Sequence, residues 1–140
     1  RLVQPSALSI GGTPVDLGQV KTPAYIQAGR EDHIAPAKSV WKITGHFAGP
    51  LRFVLAGSGH IAGVVNPPSS GKYQYWTNDA PAASLDEFVA GAKETKGSWW
   101  PDWHRWIEGL DDRRVKAEDT RIPEHDEELG DAPGRYVRTR

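Results

Sequence analysis

Two ionisable side chains stand three residues beyond the glycines that close two apolar runs. Asp32 follows Gly29 in "YIQAGREDH", and His60 follows Gly57 in "FVLAGSGHIAG". A carboxylate followed 28 positions later by an imidazole can do general-base chemistry. The imidazole takes a proton from a hydroxyl or thiol and makes it nucleophilic, while the carboxylate fixes the tautomer and stabilises the charged ring. Small residues around His60 leave room for a substrate and for close approach of a nucleophile. Each residue also has an ordinary alternative: an Asp after a strand serves as N-cap or turn former, and a strand-end His as a satisfied polar group. Glu31 is a second candidate acid, and spacing alone does not separate it from Asp32. His33 is assigned a supporting or structural role, His46 the closing of a helix, and His104 and His125 surface roles.

The partner nucleophile is not among these residues. The chain has no cysteine and no G-x-S-x-G elbow. Ser58 lies two positions from His60, too near to occupy an opposing strand–helix turn. The sequence also lacks H-E-x-x-H, thiolate ligands and an Asp-rich calcium loop, so no metal site is expected.

Two strands and a helix must hold the pair. Residues 23–29, "PAYIQAG", read as a buried strand closed by Gly29. Residues 37–47 carry apolar side chains at 37, 40, 43 and 47, a helical spacing that Pro36 could open. Residues 51–57, "LRFVLAG", read as a second strand. Strand, helix, strand is a βαβ unit of a parallel sheet, with catalytic groups gathered beyond the carboxyl ends of the strands. Acid then histidine on successive strand ends matches the last two members of an α/β-hydrolase triad. Residues 9–23 read as an irregular lead-in with short extended pieces, and 66–81 as a loop. Residues 84–94 read as a helix capped by Ser84 and Glu87, and 98–110 as a second helix. On the latter, Trp99, Trp103, Trp106 and Leu110 share one face, a stripe suited to packing on the sheet, with an apolar binding surface as the alternative. Residues 111–140 form a charged tail, which "GRYV" at 134–137 could anchor.

Composition sets outer bounds. The 140 residues are 38% hydrophobic and 25% charged, with a formal net charge of −1. That balance gives no reason to expect nucleic acid or an anionic membrane as partner. No apolar run is long enough to span a bilayer, and "RLVQPSALSIGG" lacks a signal-peptide pattern. Methionine is absent even at position 1, so the chain is expected to be a piece of a longer one, and two parallel strands alone cannot build a covered sheet.

Five blocks, "YIQAGREDHIAP", "LRFVLAGSGHIAGVVNPP", "YWTNDAP", "GSWWPDW" and "PGRYV", make the chain resemble the C-terminal part of a class I poly(R)-hydroxyalkanoate synthase. The blocks are collinear and leave 111–131 as the weakest stretch. The resemblance implies the last parallel strands and flanking helices of an α/β-hydrolase fold over residues 1–110, followed by the tail 111–140. It implies a Cys–Asp–His triad in which Asp32 and His60 are the catalytic aspartate and histidine, favouring Asp32 over Glu31, with the cysteine in an upstream G-x-C-x-G elbow. The implied reaction polymerises (R)-3-hydroxyacyl-CoA into an intracellular polyester and releases CoA, which enters as part of the substrate. A homodimer, a cytoplasmic location at polyester granules and dependence on the missing N-terminal part are implied too. Lacking the cysteine, the isolated chain is expected to be inactive. Two other readings compete: a serine esterase or polyester depolymerase of the same fold, and a non-catalytic module that binds polymer through its tryptophans.

Overall fold

The computed structural model describes residues 1–116 and 132–139. The chain forms two compact units, Arg1–Trp106 and Ile107–Arg140. The first unit opens on a hairpin of β1 (Leu8–Ile10) and β2 (Thr13–Val15). Its turn is Gly11–Gly12, both at positive φ, the conformation that a two-residue hairpin loop demands. These are the short extended pieces expected of the lead-in.

A four-stranded sheet follows, in the order β3-β4-β5-β6. Strands β3 (Ala24–Gly29) and β4 (Leu51–Ala56) run parallel, joined through α1 (Ala37–Trp41), so the expected βαβ unit is present. The helical pattern of 37–47 is only half α-helix. It tightens into a 3₁₀ turn over Lys42–Gly45, which His46 closes. β4 is buried from Phe53 to Ala56, as a continuous apolar run in a central strand requires.

The sheet then departs from the expectation of parallel strands alone. β5 (Gln74–Thr77) pairs antiparallel with β4, and β6 (Lys93–Lys96) antiparallel with β5, making a mixed sheet. β5 lies inside the stretch read as a loop, where "QYWT" is a short β-prone run hemmed by turn formers. β6 takes the end of the stretch read as one helix. That helix, α2 (Leu85–Ala90), does begin at Ser84, whose side chain accepts from the Glu87 amide while the Glu87 carboxylate accepts from the Ala83 amide. It stops early because Asn78 Nδ2 donates to the Phe88 carbonyl at 3.0 Å and occupies the space a side chain at Gly91 would need. "KETK" shows no apolar alternation because β6 is an edge, where charged side chains discourage further pairing.

Side chains divide between the two faces of the sheet. Ile26, Ala28, Leu51, Phe53, Leu55 and Trp76 face α1 and α2. There Trp41, Phe53 and Phe88 form a cluster with ring centroids 4.8 to 5.4 Å apart. Each such pair contributes about 0.5–1.5 kcal/mol beyond its burial. The other face carries Tyr25 and Arg52, adjacent across β3 and β4, and receives the start of α3 (Trp100–Leu110). Buried Asp102 accepts from Arg52 Nε at 2.8 Å, Arg52 Nη2 at 2.7 Å and Tyr25 Oη at 2.9 Å. Burial pushes its carboxyl upward, but the bonds from Arg52 and Tyr25 outweigh that and hold it below the usual carboxylate range. Of the tryptophan stripe, Trp99 and Trp106 pack on Tyr25, whereas Trp103 and Leu110 are exposed.

In the second unit, "GRYV" contributes to a 3₁₀ turn over Arg135–Arg138, with Tyr136 and Val137 exposed. His125 lies outside the described residues. Among the described residues no helix is long and apolar enough to cross a membrane.

Candidate active site

β3 and β4 end side by side, and the two chains beyond them stay laced together. The ladder continues past the strands through Arg30 N to Ala56 O at 2.8 Å and Glu31 N to Ser58 O at 3.1 Å. Gly29 makes this approach possible: a Cβ there would stand 3.1 Å from Asp32 Cβ and 3.2 Å from the Ser58 carbonyl. Ser58 takes a positive φ of 74°, a strained conformation for a residue with a side chain, and so turns the chain back towards the acid loop. It is the Ser58 carbonyl that serves the site here.

The consequence is a direct contact between Asp32 Oδ2 and His60 Nδ1 at 2.9 Å. The acid's other oxygen, Oδ1, accepts from the amides of Ile34 at 2.8 Å and Ala35 at 2.9 Å. Asp32 therefore uses its two oxygens differently: Oδ1 shapes the turn before α1 and Oδ2 faces the imidazole. The Ala35 amide, assisted against the opposing effect of burial by His60 and the Ile34 amide, holds the Asp32 carboxyl below its ordinary range. A carboxylate only accepts, so Nδ1 donates the shared proton, and in the neutral imidazole Nε2 is the nitrogen left to accept one. The Asp32 side chain is 6% exposed and that of His60 is 46% exposed, so the acid is sheltered and the base is accessible.

The alternatives fall elsewhere. Glu31 contributes its amide to the loop lacing, while its side chain is exposed. His33 is exposed beside the acid, and His46 caps the 3₁₀ turn. Among the described residues no group of three or more His, Asp or Glu could hold a metal ion.

Sequence reasoning missed what holds the loop after His60. Trp99 Nε1 donates to the Gly63 carbonyl at 2.9 Å, and Trp100 Nε1 to the Val64 carbonyl at 3.0 Å. An indole N–H taken out of water needs a partner, but nothing in the spacing pointed to the histidine loop, 36 residues away.

Fold and site together define an α/β protein whose adjacent parallel strand ends present an acid–imidazole pair. No protein-family model matches the chain. Among curated proteins it is 54% identical over 131 residues to the poly(3-hydroxyalkanoate) polymerase subunit PhaC of Rhizobium meliloti, covering 94% of this chain and 21% of that protein. It is 44% identical over 136 residues to the PhaC subunit of Cupriavidus necator, covering 97% of this chain and 23% of that protein. It is 38% identical over 143 residues to poly(3-hydroxyalkanoate) polymerase 2 of Ectopseudomonas oleovorans, covering 99% of this chain and 25% of that protein. The chain is thus the counterpart of one segment of the poly(3-hydroxyalkanoate) polymerases, spanning about a fifth to a quarter of their length.

Proposed function

We propose that this segment supplies the acid and the base of a Cys–His–Asp triad in a poly(3-hydroxyalkanoate) polymerase of α/β-hydrolase fold. The observation that carries the reading is the 2.9 Å contact between Asp32 and His60 at the ends of neighbouring parallel strands, with Nε2 left basic. His60 Nε2 takes the proton of a cysteine thiol contributed by the remainder of the polypeptide. The thiolate attacks the thioester carbon of an (R)-3-hydroxyacyl-CoA, and the CoA thiolate leaves with the proton from His60. The 3-hydroxyl of an incoming unit then attacks the cysteine thioester of the growing chain, forming the ester bond and expelling the cysteine thiolate, while the hydroxyl proton passes to the same pair. Asp32 stabilises the imidazolium in each half-reaction. In this reading CoA is substrate and no further cofactor is used. The whole protein works as a homodimer in the cytoplasm, at the surface of the polyester granule.

The test places residues 1–140 in the R. meliloti polymerase in exchange for the aligned segment and follows CoA release from 3-hydroxybutyryl-CoA. The chimera is expected to be active, Asp32→Asn should lower its rate by roughly 10⁴-fold and His60→Gln by roughly 10⁶-fold, as loss of a triad acid or base does. Retention of the rate in His60→Gln refutes the reading. Release of CoA by the 140-residue chain alone, which has no cysteine, refutes the assignment of the nucleophile.

A further inference from the structure

The segment that carries His60 is weakly held by packing. Ile61 is 75% and Val65 61% exposed, and among the described residues the imidazole has a single side-chain partner. What shapes the segment is hydrogen bonding. Gly63 N donates to Gly59 O at 2.8 Å, and the amides of Val64 and Val65 donate to Ile61 O at 3.1 and 2.8 Å. The turn has no slack, because a Cβ on Gly63 would lie 2.6 Å from the Gly59 carbonyl. A displacement of Gly63 is therefore passed to Gly59 and to the backbone of His60.

Two carbonyls of this turn, those of Gly63 and Val64, are gripped from outside by the indoles of Trp99 and Trp100. The grip has a fixed base. Asp102 N donates to Trp99 O at 3.0 Å, and the Asp102 carboxylate is tied to Arg52 and Tyr25 on β4 and β3. The Trp99 ring also stacks on Tyr25, with centroids 5.9 Å apart. The first turn of α3 is thus fastened to the same two strands whose far ends carry Asp32 and His60.

We infer that Trp99 and Trp100 are positioning residues for His60: their indole N–H groups hold the Gly63 and Val64 carbonyls and so keep Nε2 in register with the nucleophile. The inference rests on the assignment of His60 as the base. General-base transfer requires hydrogen-bond reach, and a misplacement of about 1 Å costs on the order of 10²-fold in rate.

The experiment uses the same chimera with Trp99 and Trp100 each replaced by 3-benzothienylalanine, which keeps the shape of the ring and puts sulfur in place of N–H. Each replacement should lower kcat by roughly three- to tenfold and both together by more than tenfold, short of the 10²-fold for a full ångström. KM for 3-hydroxybutyryl-CoA should stay unchanged, and the pH–rate profile should shift. Trp99→Phe and Trp100→Phe provide variants made by ordinary mutagenesis. Trp41→Phe, in the core on the opposite face, is the stability control. An unchanged kcat and pH profile in the doubly replaced chimera, or losses no greater than in Trp41→Phe at equal loss of Tm, overturns the inference. If that happens while His60→Gln is inactive, only the positioning role fails. If His60→Gln is active, the assignment of the base fails, and the positioning role with it.

Discussion

At the scale of single residues, Asp32 divides its work between its two oxygens, and its ionisation should be visible in stability as well as catalysis. Its folded pKa is depressed, with the Ala35 amide as the leading cause. Its carboxylate therefore contributes stability fully above the ordinary aspartate value near 3.9, and the contribution fades as pH falls through the lower folded value. Urea unfolding midpoints followed from pH 6 down to pH ~2.5 should fall more steeply at the acid end for the unaltered chain than for Asp32→Asn. Parallel curves would show that the Ile34 and Ala35 bonds do not depend on the charge. The pair itself was legible in the sequence because parallel strands end on one side, so two strand-closing glycines give two side chains a shared edge. What spacing alone left open was the choice between Asp32 and Glu31, in which only the family resemblance favoured Asp32. That depends on a turn in which Asp32 Oδ1 accepts two amides, leaving Oδ2 for the imidazole, and Glu31 only its amide to give.

At the scale of elements, legibility followed burial. β3, β4 and α1 declare themselves by apolar runs and helical spacing because they form the centre of the core. β6 does not, because an edge strand of Lys and Glu has no buried face to write into the sequence. The end of α2 is set by Asn78, a residue outside the helix, so no pattern within 84–94 could reveal it. The attachment of α3 was equally hidden, since Asp102 meets Arg52 across 50 positions. Removing one partner of a buried ion pair typically costs about 3–5 kcal/mol. Arg52 is partly solvated and Tyr25 and Arg105 still face Asp102, so Arg52→Met should cost somewhat less, about 2–3 kcal/mol, in urea unfolding at neutral pH. A change under about 0.5 kcal/mol would mean that Tyr25 and the stacked tryptophans suffice to hold the helix.

At the scale of the whole molecule, the sheet is finished on one side only. β6 is a charged edge, but β3 is an apolar strand that no other strand flanks on its outer side among the described residues. Ala24 N donates to Pro50 O and Arg30 N to Ala56 O, so the even-numbered amides of β3 point to β4 and those of Tyr25, Gln27 and Gly29 point away. Gln27 Nε2 is buried nearby with no hydrogen-bond partner among the described residues. In the 140-residue chain the three outward amides should exchange with solvent roughly 10²-fold or more faster than those of Ile26 and Ala28. In the chimera they should become protected as a neighbouring strand takes them up; equal exchange in both proteins would rule out continuation of the sheet at β3. The lacing of the acid and base loops has a consequence at this scale too. Because Glu31 and Ser58 are stitched by backbone at the very end of the sheet, acid and base form the fixed jaw of a vice. On the proposed function, a polyester that lengthens with every cycle has to be accommodated by the opposing jaw, and the fixed one meets the last monomer with the geometry it offered the first.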